Sequence, residues 1–308
     1  VWQSVWSSII RFALHKMDKD SIEERNWRPN IMLFSGGTQK RPYLIEFGKA
    51  LVGKHGMLSN FDLIEKNDAK TLFPIQKKTV PPDLAKAGVF VRQQYVKDVY
   101  EGIETIARTY GFSGIEPNTV ILGWGRQTSN PKRFVHLINS LNELDLNILL
   151  LDFDKDHKFG NYKKIDIWWK SDGQQGILPL ILSKFIGSSY EWRDASFRLL
   201  IVNPLMEDSE RLQINAQNIL DNLRISAEIK VINNQVEQKP FYDILMSESK
   251  NSDLIFIGIP DINEDESVDF IRKTNNLLLN IGTVALVKAC SKFKNANVGL
   301  STDEYSKI

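Results

Sequence analysis

Much of what would mark a common chemistry is missing from this chain. It carries one cysteine, Cys290, so no internal disulfide can form and a disulfide-stapled fold is excluded. A single cysteine at the end of an apolar run reads as a small buried hydrophobe. No Asn-x-Ser/Thr acceptor occurs anywhere, which fits a cytosolic chain. No uninterrupted apolar run approaches the roughly 20 residues that a bilayer-spanning helix needs. Neither sign of charge dominates: 39 Lys+Arg stand against 38 Asp+Glu, so a nucleic-acid footprint is not expected. The four histidines, His15, His55, His136 and His157, are scattered. None has the His or Cys at i+3 or i+4 that a metal site would use. There is no Gly-x-Ser-x-Gly elbow for a serine nucleophile.

What is present suits a folded α/β protein. At 308 residues, 42% apolar and 25% charged, the chain is long enough for two ordinary domains. It begins at Val1 and not at Met, and its first residues are already amphipathic, so we expect a piece of a larger protein. Trp2, Val5, Trp6, Ile9, Ala13 and Met17 recur at helical spacing and form one apolar stripe. That stripe either packs on its own domain or docks on a partner or membrane-proximal surface. Residues 18–26 read as a charged linker, and Pro29 stops any helix.

Beyond Pro29 strands and helices alternate. Strand-like runs cover Asn30 to Phe34, Met57 to Glu65, Val89 to Val96, Thr119 to Trp124 and Asn147 to Phe153. Helical spacing covers Tyr43 to Val52, Asp98 to Tyr110 and Pro131 to Leu144, and Pro81-Pro82 opens a short helix near Asp83 to Ala87. A middle segment, Asp154 to Arg193, adds a hairpin-like strand and a bridging helix from about Ile177. The rhythm then restarts: strands near Phe197 to Val202, Ala227 to Ile232, Leu254 to Gly258 and Thr283 to Lys288, with helices near Glu207 to Leu223, Phe241 to Ser249 and Asp265 to Ile281. This pattern predicts two tandem, doubly wound α/β subdomains with mainly parallel sheets, preceded by an amphipathic helix. We place the boundaries at 1–26 for the linker helix, 27–193 for the first subdomain with its added strand and bridging helix, and 194–308 for the second.

Candidate chemistry is sparse. Gly48 to Lys54 matches G-x-x-x-x-G-K, but His55 replaces the magnesium-binding Ser/Thr and the run lies inside a helical pattern, so it reads as structural. Asp152, Asp154 and Asp156 alternate among lysines and read as a solvated turn, and no metal site is expected. Ser35-Gly36-Gly37-Thr38 follows the first strand and precedes a helix, where open parallel sheets present ligand sites. Gly123-Trp124 ends another strand. Together these could hold a nucleotide such as ATP or ADP, or serve turn geometry alone. No acid, base or metal cluster supports catalysis, so the chain is not expected to be an enzyme.

The most distinctive stretch is Lys164-Ile165-Asp166-Ile167-Trp168-Trp169-Lys170-Ser171-Asp172-Gly173, followed by the apolar run Ile177-Leu178-Pro179-Leu180. Trp168 and Trp169 must point to opposite faces of a strand. They make a two-sided buried strand or an interface between subdomains or subunits. This stretch resembles the "IDVWW…DGG" segment of the cytosolic C-terminal domain of cation-chloride cotransporters. Asn26-Trp27-Arg28-Pro29, Asn118-Thr119-Val120-Ile121-Leu122-Gly123-Trp124, Trp192-Arg193 with Phe197-Arg198-Leu199, Ser252-Asp253-Leu254 through Pro260, and Thr283 to Lys288 resemble further segments of that family, in the same order.

The resemblance implies two α/β subdomains similar to universal stress proteins, on the cytoplasmic side of the cell membrane as part of an integral membrane protein. It implies a non-catalytic regulatory role for a symporter of chloride with sodium and/or potassium. The expected partners are the protein's own transmembrane domain and a second copy, with membrane contact only through the parent protein. It makes Trp2, Trp6, Ile9, Trp168 and Trp169 candidates for interfaces. The free-standing alternative is a tandem universal-stress-like nucleotide-binding protein. The phosphate motif of such proteins, Gly-x2-Gly-x9-Gly-[Ser/Thr], is not met after Gly258. The long polar insertions of animal cotransporters are also missing, so kinase control does not carry over.

Overall fold

The computed structural model describes residues 7–8, 27–37, 40–53, 56–67, 71, 73, 88–112, 115–170, 177–203 and 209–294. The stripe Trp2 to Met17, the short helix near Asp83 to Ala87 and Thr38 lie outside the described residues.

Among the described residues ten strands form one sheet: β1 (Asn30–Phe34), β2 (Met57–Glu65), β3 (Val89–Val96), β4 (Thr119–Gly123), β5 (Asn147–Asp152), β6 (Lys164–Lys170), β7 (Ser196–Asn203), β8 (Glu228–Asn233), β9 (Leu254–Gly258) and β10 (Val284–Lys288). Their spatial order is β3-β2-β1-β4-β5-β10-β9-β6-β7-β8. Every pairing is parallel except β5 with β10. The sheet is therefore two five-stranded parallel sets, each wound in the same order, joined edge to edge by one antiparallel seam. Joining them covers what would otherwise be an open edge on each set.

Among the described residues the helices around the sheet are α1 (Pro42–Val52), α2 (Val99–Thr109), α3 (Pro131–Glu143), α4 (Ile177–Gly187), α5 (Ser209–Leu223), α6 (Phe241–Ser249), α7 (Ser267–Leu277) and the short α8 (Ser291–Lys294). Both faces of the sheet are covered, as parallel sheets require. Ile31, Leu33, Ile121, Leu149, Ile165, Ile167 and Trp169 face one core with α1, α4 and α5. Met32, Phe34, Val120, Leu150, Trp168 and Leu286 face the other with α2, α3, α6 and α7. Each core runs through both sets of strands. The central strands are apolar on both sides for this reason.

The double winding is as expected, and one part of the organisation is corrected. β6 is not an added hairpin-like strand of the first subdomain. It pairs in parallel with β7 and β9 and opens the second set, with α4 following as that set's first helix. By strand pairing the division falls after β5, ahead of 193/194. The reason is topological: β10, far along the chain, takes the place beside β5. Local pattern carries no information about such a long-range pairing.

The tandem tryptophans are the pivot of β6. Trp168 lies in one core, stacks edge-on against Phe241 at 5.2 Å between ring centroids and donates its Nε1–H to Ser249 Oγ at 3.1 Å. Trp169 lies in the other core. Both are buried within this chain and offer no surface to a second subunit, so they are core residues and not a subunit interface.

Candidate functional site

The order β3-β2-β1-β4-β5 reverses winding direction between β1 and β4, and open sheets hold ligands outside the strand ends at that point. β1 and β4 are parallel and in register, with Phe34 beside Leu122. Ser35, Gly36 and Gly37 therefore leave the sheet next to Gly123, as the sequence suggested. Gly36 (φ +66°) and Gly37 (φ +112°) take left-handed backbone that glycine adopts without strain. The chain turns there, with Lys40 N–H donating to the Gly37 carbonyl at 3.0 Å, and enters α1.

Trp124 does not join this group. It is turned to the opposite core, where its ring meets Phe134 and Phe270 edge-on. Its Nε1–H donates to Asn275 Oδ1 at 2.8 Å, and Asn275 Nδ2 donates to the Arg126 carbonyl at 3.0 Å. Arg126 pairs in turn with Asp152 and donates to the Leu278 carbonyl. Trp124 thus ties β4 to α7 of the second set, which is a structural task.

The residues that complete the switch point come from β2 and from the start of α1. Position by position, the inward face of β2 carries Leu58, Asn60 and Asp62. Leu58 sits under Gly48 of α1, where an added Cβ would approach its methyls to 3.0 and 3.1 Å. That close approach explains the glycine of the G-x-x-x-x-G-K match: it is helix–sheet packing. Asp62 Oδ1 is 3.8 Å from the place of a Gly37 Cβ, and Gln93 Nε2 donates to its other oxygen at 2.7 Å. Asn60, between them on the same face, is fully buried. Neither its amide nitrogen nor its oxygen has a hydrogen-bond partner, and the same is true of the buried Ser35 Oγ. Arg41 reaches across the strand ends, with Nη1 3.1 Å from where a Gly123 Cβ would sit.

Asn60, Asp62, Lys40 and Arg41 were not singled out from the sequence. The usable signal was Asn60 itself, a polar side chain two residues after Leu58 on the same face of a strand.

At the corresponding place in the second set, β6 runs into residues 171–176, outside the described residues. What the second set shows is a buried ionic network. Asp166, fully buried, accepts from Arg198 Nε at 2.8 Å and Nη2 at 2.6 Å, from Ser249 Oγ at 2.6 Å and from Ser252 Oγ. Arg198 also donates to the Glu248 carbonyl at 2.8 Å. The hydrogen bonds to Asp166 raise the pKa of Arg198 above its ordinary value. Among the described residues no three His, Cys, Asp or Glu stand where they could hold a metal ion. Asp154 instead caps the turn after β5, accepting from Asp156 N at 2.8 Å and His157 N at 3.2 Å.

No family model matches the chain. Among solved structures, the cytoplasmic domain of a prokaryotic cation chloride cotransporter is similar, with a TM-score of 0.60 and 12% identity over 88% of this chain and 98% of that one. A universal stress protein from Archaeoglobus fulgidus DSM 4304 is similar as well, with a TM-score of 0.54 and 13% identity over 86% of this chain and 98% of that one. At these identities the likeness is one of fold. The shared fold is a mainly parallel α/β sheet with alternating helices, like that of the universal stress protein and of the cotransporter's cytoplasmic domain.

Proposed function

We propose that this chain is the cytosolic regulatory and dimerisation domain of a secondary-active symporter that moves chloride with sodium and/or potassium. The observation that carries the reading is where the quoted sequence segments fall. The segments resembling the cotransporter family lead into or form β1, β4, β6, β7, β9 and β10, the strands that build both sets and their antiparallel seam. The similarity to the cotransporter domain spans 98% of its length. No helix among the described residues is long and apolar enough to cross a membrane. In this reading the spanning part belongs to the same protein, and Trp2, Trp6 and Ile9 are the face that docks towards it or towards a second copy.

The second reading, a free-standing nucleotide-binding protein of the universal-stress type, is favoured by Ser35 to Gly37 and Gly123 at the switch point.

Separation of membranes from cytosol in the native cells, followed by immunoblotting for this domain, tests the two readings. The symporter reading expects a band far heavier than 35.3 kDa that leaves the membrane only with detergent. A band near that mass in the cytosol would end it. Dimerisation is tested on the detergent-solubilised protein by light scattering, where a strictly monomeric mass would remove that part of the proposal.

A further inference from the structure

We propose that the polar spot under the first turn of α1 binds a small monovalent anion, and specifically chloride. Three features bear on it. First, α1 starts without a side-chain cap and without an acidic residue in its first turn, so the positive end of its dipole is not neutralised from within the chain. Second, two fully buried polar groups lack partners: Ser35 Oγ and both atoms of the Asn60 amide. A buried polar group without a partner is costly enough that the large majority in folded proteins are satisfied. Asn60 belongs to the β2 face that α1 covers, between Leu58 under Gly48 and Asp62 beside Gly37. Third, Arg41 brings a guanidinium over Gly123 and beside the same strand ends.

Hydroxyl, amide N–H and guanidinium are all donors, and donors around a helix start bind anions. In this arrangement Ser35 O–H, Asn60 Nδ2–H and Arg41 point at the ion, and Asn60 Oδ1 accepts from water held with it. The choice of a monovalent ion follows from Asp62. Its carboxylate stands on the rim of the spot, and a fixed negative charge there repels a phosphate group far more than a single halide. Selecting chloride among monovalent anions rests on the symporter reading, in which the transported ion would be sensed by the cytosolic domain.

The test uses the whole 308-residue chain. Its thermal unfolding is followed in potassium chloride and in potassium gluconate at equal ionic strength, for wild type, Arg41→Gln and Ser35→Ala. Each protein is compared with itself in the two salts, so a change in a variant's basal stability does not enter the comparison. Chloride at tenfold its dissociation constant should raise the wild-type midpoint by roughly 2–3 °C. Bromide should act alike, and both variants should lose the rise. Broadening of the chloride NMR line by wild type, absent with Arg41→Gln, is the second readout. Equal midpoints in the two salts, or a rise that survives in both variants, would overturn the proposal. So would stabilisation by inorganic phosphate or ATP where chloride has no effect. This failure is separable from failure of the symporter reading. Membrane fractionation decides that reading whatever chloride does, and a cytosolic 35.3 kDa protein that still bound chloride would keep the site and lose only the transporter.

Discussion

Removing Arg198 should expose how the second set of strands tolerates a fully buried carboxylate. In Arg198→Met the Asp166 carboxylate keeps Ser249 and Ser252 as donors and loses both guanidinium bonds, at 2.8 and 2.6 Å. The Glu248 carbonyl loses its donor too. Breaking one side of a buried pair costs about 3–5 kcal/mol. The two remaining hydroxyls hold the cost near the lower end, about 3 kcal/mol. Asp166→Leu should cost about as much, since it leaves the guanidinium with the Glu248 carbonyl and a Glu248 carboxylate 3.8 Å away.

The double variant removes both charges. It leaves two hydroxyls short of an acceptor, each worth about 1 kcal/mol, so it should sit only about 2 kcal/mol below wild type. The four proteins thus form a cycle with a coupling energy of about 4 kcal/mol. Urea unfolding followed by tryptophan fluorescence is the assay, because Trp168 bonds Ser249 within the same network. If the double variant loses the sum of the single losses to within about 1 kcal/mol, the network is not a coupled unit and the reasoning fails.

Further consequences are open to measurement. Gly160 has φ +52°, and a Cβ there would fall on the Asp253 carboxylate, which accepts from the backbone N–H of Asn161, Lys163 and Lys164. Gly160→Ala should therefore cost about 2–3 kcal/mol in denaturant unfolding, and a neutral result would show that the β5–β6 turn is not held this way. His136 has its pKa raised, first by its hydrogen bond to Glu264 at 2.7 Å. A raised folded value means that its contribution is complete below the ordinary imidazole pKa and is lost as pH rises through the raised one. The side chain is 58% exposed, so the effect should stay below about 1 kcal/mol. The difference in melting temperature between wild type and His136→Gln should shrink to nothing at alkaline pH. Burial pushes the Cys290 thiol up, so a thiol reagent at neutral pH should label the native chain only as fast as it opens. Labelling at the rate of a free thiol would place Cys290 at the surface.

Local pattern carried most of the architecture. Buried strands such as Thr119–Gly123 and Leu254–Gly258 announce themselves as short apolar runs bounded by turn residues. Helix starts were legible where a cap exists: Asp98 accepts from Glu101 N and Asn130 from Arg133 N. Ends set by tertiary detail were not. The helix expected over Asp265 to Ile281 is only Ser267–Leu277, after a 3-10 turn at Glu264–Glu266 and before left-handed Asn280. The place of β6 was hidden because its neighbours, β7 and β9, are chosen by pairing across the chain. The candidate site was half legible. Glycines at strand ends stand out in a sequence. Asn60 and Arg41 matter only because winding brings β2 and the start of α1 to the same edge, and Trp124 dropped out because the residue after Gly123 faces the other core.

The central claim is that this domain serves a chloride symporter. Its most direct test is chloride-dependent uptake of sodium and potassium tracers into native cells, compared with cells in which the coding sequence for residues 27–308 is deleted. The account predicts a chloride-dependent component that falls sharply on deletion and returns when the intact gene is restored. Cation uptake that is indifferent both to chloride and to the deletion would contradict it.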